Sequence, residues 1–240
     1  MSDIIFYDEN NNIINNNIFE VDEQRLASKY IKNHHVVLEL GARYGTVSYI
    51  INNNIGVKTN QVSVEPDQRV WGALEKNKEL YNSQYHILKG FISNKNLNLE
   101  NQELGYGTTS IESNVINSIA PSYTLDFIQN YYNLNFNVLV ADCEGFLEIF
   151  LDENPQLYDN LRLIIFEADY PEKCNYLKIK NILLNKEFIP VEEGFQNVWI
   201  KFNVDAYKQF NNDLHNFTNE EAIKHFNEHG KNESRIFYHP

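Results

Sequence analysis

Val36-Val-Leu-Glu-Leu-Gly-Ala-Arg-Tyr-Gly-Thr-Val-Ser48 is the stretch on which the fold turns. The apolar run Val36–Leu40 is β-branched and too short for a buried helix, so it predicts a strand covered on both faces. Gly41 and Gly45 frame a tight turn where the backbone, including Ala42 and Arg43, can approach a ligand. A helix follows with Val47, Ile50 and Ile51 on one face. Its N-terminus presents N–H groups that no helical carbonyl satisfies. A strand, a glycine turn and a helix in that order form the first half of an α/β unit.

Working outward, the alternation repeats. Val62–Val64 predicts a strand that Pro66 stops, ending at Glu65-Pro66-Asp67, with a helix from Gln68 to Leu80 after it. His86–Leu88 predicts a third strand leading into Phe91. Residues 94–121 are polar and irregular, and the Gly105–Ser110 run is expected to lid a site. A helix over Tyr123–Tyr132 precedes a fourth strand, Phe136–Ala141, which ends in Asp142-Cys-Glu-Gly145. A helix over Phe146–Asp152 comes before a fifth strand, Arg162–Phe166, which ends at Glu167-Ala-Asp169. A helix over Glu172–Asn185 and a hairpin, Phe188–Glu192 with Asn197–Phe202 around Gly194, complete the pattern. The expected fold class is α/β, a Rossmann-like, mostly parallel sheet with an antiparallel C-terminal hairpin and a small helical tail.

Upstream, Asp22 is expected to cap a helix from Glu23 to about Lys32, and residues 1–21 read as a loosely attached arm. The expected division is this arm, a main domain over 22–204 and a helical module over 205–240. In the module, Thr218 with Glu221 forms a capping box, Gly230 ends the helix, and Ala222, Ile223 and Phe226 make its apolar face. Asn clusters such as Asn10–Asn12 and Asn52–Asn54 read as loop and turn filler.

The formal net charge of −13 repels phosphate backbones and anionic lipid, which argues against nucleic acid or membrane as partners. A small molecule, a neutral glycan or a protein suits that charge better, and a homodimer is among the arrangements left open. Two cysteines, an acidic N-terminus and no apolar run of membrane-spanning length lead to the expectation of a reducing, cytoplasmic setting.

Three acidic positions carry the chemistry. Glu39 ends the first strand, where a carboxylate would repel a pyrophosphate. It suits a cationic amino-acid nucleoside, and S-adenosylmethionine, with its ammonium and sulfonium, has that character. Glu65 ends the second strand, placed to accept both hydroxyls of a ribose, as dinucleotide enzymes also arrange. Asp142 and Glu144 follow the fourth strand and Glu167 with Asp169 the fifth, at the sheet edge where such folds bind ligands. Helix capping is the plainer alternative for Asp142 and Glu144. Cys143 reads as a small buried filler. His225 and His229 lie four apart on a helix without a third ligand, so no metal set is assigned.

Taken together, Glu39–Ser48 (ELGARYGTVS), Ser63–Asp67 (SVEPD), Ile87–Ser93 (ILKGFIS), Tyr123–Ile128 (YTLDFI), Val140–Leu151 (VADCEGFLEIFL) and Leu163–Asp169 (LIIFEAD) resemble the FkbM family of methyltransferases, in its order and spacing. The resemblance implies a class I S-adenosylmethionine-dependent fold and O-methylation, often of sugar or polyketide hydroxyls. It places the cofactor against Glu39, Gly41, Ala42, Gly45, Glu65 and Phe91, with Arg43 and Pro66 expected beside them in the same turns. It matches Asp142, Glu144 and Gly145 to the family's Asp-x-Glu-Gly signature and Glu167 to its late acid. The mechanism expected here uses Asp142 as base or positioning acid, with Glu144 and Glu167 as helpers. Val140 departs from the family, which usually has Lys two residues before the Asp; its usual first-turn Asn is here Arg43 or Tyr44. The tail resembles a short helical module appended to carbohydrate-processing proteins, which points the acceptor towards a sugar. A cofactor-binding scaffold without transferase activity and an NAD-dependent enzyme are the alternatives.

Overall fold

The computed structural model describes residues 4–15, 19–100, 109–112 and 120–239. The chain opens with a hairpin, β1 (Ile5–Tyr7) and β2 (Ile13–Asn15), then α1 (Val21–Tyr30), β3 (Val37–Leu40), α2 (Thr46–Asn54), β4 (Gln61–Glu65), α3 (Trp71–Leu80) and β5 (His86–Lys89). Four short strands follow: β6 (Phe91–Ile92), β7 (Leu97–Leu99), β8 (Ser110–Glu112) and β9 (Ser122–Tyr123). Then come α4 (Leu125–Tyr132), β10 (Val138–Ala141), α5 (Leu147–Glu153), α6 (Leu157–Asn160), β11 (Leu163–Glu167), α7 (Tyr176–Asn185), β12 (Phe188–Glu192) and β13 (Gln196–Lys201). The tail holds α8 (Val204–Phe210) and α9 (Asn219–Glu228).

Seven strands form the central sheet in the order β12-β13-β11-β10-β3-β4-β5. β11, β10, β3, β4 and β5 are parallel; β13 runs antiparallel between β11 and β12. This is the doubly wound, Rossmann-like sheet with the antiparallel hairpin expected at one edge. Strand side chains alternate between faces. Leu38, Val62, Leu139, Ile164 and Trp199 face the layer that includes Ile128, Phe150 and Leu183 of α4, α5 and α7. Val37, Val138, Leu163 and Val198 face Leu26 of α1 and Ile51 of α2. Because both faces are covered, β10 and β11 read as near-continuous apolar runs, whereas β4 alternates, its Gln61 and Ser63 buried against Glu39 of β3.

Several expectations are corrected. The N-terminal segment does not hang loose. Phe6 is 1% exposed against Tyr49 and Tyr81, and Tyr7 and Asn77 of α3 exchange two hydrogen bonds of 2.9 Å. Asp22 lies inside α1 and caps nothing; Glu20, left-handed at φ 49, occupies the N-cap position without a side-chain capping bond. Asn52–Asn54 form the last turn of α2, and Asn52 is buried, donating to Lys58 O and Gln61 Oε1 and accepting from Gln84 N–H. The stretch read as irregular contains the antiparallel β7–β8 pair, while Gly105–Thr108 of the expected lid lie outside the described residues. In the tail the Thr218–Glu221 capping box is present, and Ala222 and Phe226 pack with Tyr207 and Leu214; Ile223, however, is 39% exposed. The His225 ring meets the Tyr207 hydroxyl at 2.9 Å. No helix among the described residues is long and apolar enough to cross a membrane.

Candidate functional site

The sheet reverses its winding between β3 and β10, and their carboxyl ends lie side by side, where open α/β sheets form a ligand crevice. The two turns are stitched together. Asp142 N–H donates to Leu40 O at 3.0 Å, and Gly41 and Ala42 N–H both donate to Val64 O at 3.0 Å. Gly41 has φ 88, and a β-carbon there would overlap the Asp142 carbonyl oxygen. Its glycine identity therefore lets the turns after β3 and β10 touch.

Above this seam lies a cleft with about 730 Å³ of empty space, part of it open solvent. Leu40, Val64, Pro66, Phe91, Ile92 and Phe146 make an apolar slot. Glu20, Arg43, Glu65, Asp67, Asp142 and Glu144 make the polar wall, and Leu99 and Ser110 come from the β7–β8 pair. Glu65 is held by two backbone donors, Arg43 N–H on Oε2 and Asp67 N–H on Oε1, both at 2.7 Å. Each oxygen retains a second lone pair for a ligand. Burial pushes Glu65 up to about 7 against those hydrogen bonds.

A second hollow of about 340 Å³ adjoins the first at Glu20, Leu40, Gly41 and Asp142. Glu23, Glu39, Val140, Glu167 and Gln196 also line it. Glu39 shares a face with Val37, towards α2, so its Oε2 accepts from Ser48 Oγ (2.6 Å), Ser63 Oγ (2.5 Å) and Gln61 Nε2 (3.4 Å). Burial pushes it to about 7. Glu20 accepts from Thr46 Oγ1 at the start of α2, and burial drives its carboxyl well upward. The positive end of that helix is thus met by the protein's own acid. Gln196 Nε2 donates to both Glu23 and Glu167. Burial and the neighbouring Glu23 raise Glu167.

Asp142, Glu144 and Asp169 form a trio with oxygens within 4.8 Å of one another; Glu23, Asp142 and Glu167 form another. Burial first, then the Asp169 charge, pushes Asp142 up to about 7. Burial and a proton shared with Asp169 raise Glu144. Glu144 sits at φ 53 and Gly145 at φ 83, and a left-handed conformation at a non-glycine residue costs on the order of 1 kcal/mol or more. Neither acid caps α5, whose N-cap is Phe146 without a side-chain bond.

Of the sequence-expected residues, Gly41, Arg43, Glu65, Pro66, Phe91, Asp142 and Glu144 line the main cavity, while Glu39 and Glu167 line the smaller hollow. Ala42 and Gly45 line neither. Ala42 is buried with Leu74 and Tyr85, and Gly45, at φ 81, leaves room for Leu74 Cδ1 and Tyr85 Oη, each 2.8 Å from where its β-carbon would be. They shape the turn from behind. Cys143 is half-buried, packed against the core as expected and also lining the cavity wall. Glu20, Glu23, Gln196 and Phe146 were missed. The first two are carried in by α1, whose packing on α2 and β13 no local pattern announces.

No family model and no curated protein matches this sequence. Solved structures do. Precorrin-6y C5,15-methyltransferase from Geobacter metallireducens is 14% identical over 75% of this chain and 86% of its own, with a TM-score of 0.45. TrmK of M. capricolum, in complex with S-adenosyl-homocysteine, is 17% identical over 74% and 67%, with a TM-score of 0.43. The O-methyltransferase from Bacillus cereus, in complex with SAH, is 12% identical over 75% and 79%, with a TM-score of 0.43.

Proposed function

We propose that the chain is an S-adenosylmethionine-dependent methyltransferase acting on a hydroxyl, with a sugar or glycan as the favoured acceptor. One observation carries the cofactor reading: Glu20, Glu39, Asp142, Glu144 and Glu167 all line two adjoining hollows at the sheet's switch point, and Arg43 is the only basic residue lining either among the described residues. A dinucleotide would bring phosphates to that wall and to a helix start already met by Glu20. A nucleoside bearing an ammonium and a sulfonium brings the complementary charge.

The residues fit such a ligand. Glu65 offers lone pairs for a ribose, and Pro66, Phe91, Ile92 and Phe146 offer an apolar slot for a flat base. When bound, S-adenosylmethionine supplies an activated methyl group. Asp142, pushed to about 7, is matched to taking the proton that an acceptor hydroxyl loses near neutrality. Glu144 and Glu167 hold charge and hydrogen bonds around it. The acidic surface supports an uncharged acceptor over nucleic acid, and an intracellular setting belongs to the same reading.

Calorimetry with S-adenosylmethionine and NAD tests the cofactor. The first is expected to bind, and Glu65→Ala to weaken it by about 10-fold or more; tight NAD binding with no heat from S-adenosylmethionine would overturn the reading. Transfer of radiolabelled methyl into glycan and small-molecule extracts tests the chemistry. Asp142→Asn is expected to keep cofactor binding and lower transfer by roughly 100-fold or more. Binding with no labelled product from any extract would favour a scaffold.

A further inference from the structure

We propose that the outer face of α4 is a binding platform for a chain of neutral pyranose sugars, continuous with the main cavity. The rings come first. Tyr123, Phe127 and Tyr131 recur four residues apart, so they lie in one row along α4 and the strand end before it. Adjacent rings are nearly parallel. Tyr123 and Phe127 are 5.6 Å and 13° apart, and Phe127 and Tyr131 are 5.8 Å and 21° apart. At that spacing parallel rings are offset rather than superimposed, so each keeps part of its face uncovered. Phe127 is 49% exposed and Tyr131 70%. Tyr132, edge-on to Tyr131 at 4.9 Å, and His86 of β5, 4.4 Å from Tyr132, extend the row to the last strand of the sheet. An exposed patch of adjoining rings marks an interaction site.

α4 holds its place without the exposed rings. Leu125 and Ile128 are buried in the core, Phe127 N–H donates to the Thr124 hydroxyl at 3.2 Å to cap the first turn, and left-handed Asn133 ends the helix. The rings are therefore fixed before any ligand arrives, which lowers the ordering cost of binding.

Three observations select the occupant. Residues 120–135 contain no lysine or arginine, and desolvation holds the His86 imidazole below its usual range, so the face offers nothing to a phosphate or an anionic lipid. Beside its rings α4 presents the amides of Gln129 and Asn130, and it exposes no aliphatic side chain. The C–H face of a pyranose carries partial positive charge that suits the negative face of an aromatic ring, and its hydroxyls suit amides and phenols. The row also begins at the cavity. Tyr123 of β9 pairs with Ile92 of β6, which lines the cavity, and Phe91 N–H donates to Pro121 O at 2.8 Å and Ser93 N–H to Tyr123 O at 2.9 Å. A glycan with one unit in the cavity has its next units within reach of the rings. That these sugars belong to the methyl acceptor rests on the proposed transfer reaction, but the platform does not.

Affinity electrophoresis tests it, with the intact chain run through native gels that contain graded amounts of a mixed-linkage β-glucan, a galactomannan or a dextran. Retardation by at least one of the three is expected. Phe127→Ala and Tyr131→Ala should each raise the apparent dissociation constant about 5-fold, whereas Tyr131→Phe, which keeps the ring, should stay within about 2-fold. Leu177→Ala, at an exposed apolar position on α7, should change nothing. Circular dichroism and thermal melts identify any variant that has failed to fold, and the exposure of both rings makes their removal mild. No retardation of the wild-type chain by any of the three would overturn the platform, as would unchanged retardation of both alanine variants. A chain that sediments as a dimer, becomes monomeric with Tyr131→Ala and is retarded by no polysaccharide would assign the face to a second copy instead. Retardation without methyl transfer would leave the platform standing and remove only its link to the acceptor.

Discussion

Replacing Glu39 by Gln should make the chain gain stability relative to wild type as the pH rises. Glu39 is 1% exposed, and its Oε2 gathers donors from Ser48, Ser63 and Gln61. Burial outweighs those donors and moves the carboxyl from 4.5 to about 7. The folded state therefore holds a proton between those values that the unfolded chain has already released. Stability must fall with rising pH across that window and level off above 7. At about 1.4 kcal/mol per tenfold change in proton affinity, the full effect is roughly 3 kcal/mol, of which about 2.5 kcal/mol falls between pH 5 and pH 8. Gln fills the same volume and keeps an oxygen for the three donors, but it does not titrate. Glu65 and Asp142, also near 7, are present in both proteins and cancel in the difference. Urea unfolding of both proteins at pH 5 and pH 8 measures it, with equal m-values as the check on two-state behaviour. A wild-type-minus-variant difference constant to within about 0.5 kcal/mol across that range would refute the reasoning, because it would mean the hydroxyl and amide donors fully offset burial.

Glu192 should show the opposite sign. Burial raises it, but hydrogen bonds from Arg25, Lys29 and Tyr30 outweigh that and hold it at about 2, so its stabilisation is present above 4.5 and fades as the pH falls towards 2. With the Arg25 and Lys29 side chains about half exposed, Glu192→Gln should cost no more than about 1 kcal/mol at pH 7 and nearly nothing in 1 M salt, measured by urea unfolding. Gly41→Ala should lower stability by about 3 kcal/mol or more or prevent soluble expression, because φ 88 and the Asp142 carbonyl both exclude a β-carbon. Gly72→Ala, in α3 with nothing within 4 Å, should instead raise the melting temperature slightly. Thr218→Ala removes the α9 capping box and should cost about 1 kcal/mol, read as faster amide exchange in Asn219–Glu228 with cofactor affinity unchanged.

Much of the fold was legible because both faces of its sheet are buried. Val37–Leu40, Val138–Ala141 and Leu163–Glu167 stand out as short apolar runs, and each acid that ends a run marks a carboxyl edge. The pairing partners were not legible, since a parallel ladder leaves no local turn signature. The hairpin's docking was hidden for a related reason. Phe6 lies in a short apolar stretch, Ile4–Tyr7, and the partners that hold that stretch, Asn77 and Tyr81, are distant in sequence. Glu39 shows how a site can be read correctly in position and incompletely in direction. Its place at the strand end is local, but two-residue alternation puts it on the face of Val37, where Ser48 and Ser63 enclose it. Asp169 was seen as a strand-end acid; the convergence of Gly145 and Tyr176 on its Oδ1 appears only in the fold.

The charge at the crevice works on ligand exchange as well as on recognition. Glu20, Glu23, Glu39, Asp142, Glu144, Glu167 and Asp169 lie around one seam, and burial or mutual repulsion raises five of them, Glu20, Glu39, Asp142, Glu144 and Glu167. Such a cluster is costly to an empty fold near neutrality, since each acid must either hold a proton or remain charged beside its neighbours. A ligand that brings positive charge lowers that cost, and the gain counts towards its affinity. On the proposed reading, methyl transfer removes the sulfonium charge while leaving the rest of the nucleoside unchanged. The apolar slot and Glu65 would grip cofactor and product alike, so the difference between them falls on the carboxylates. The acids that draw in the charged cofactor then hold its neutral product less tightly, and product release becomes the step that the acidic wall favours.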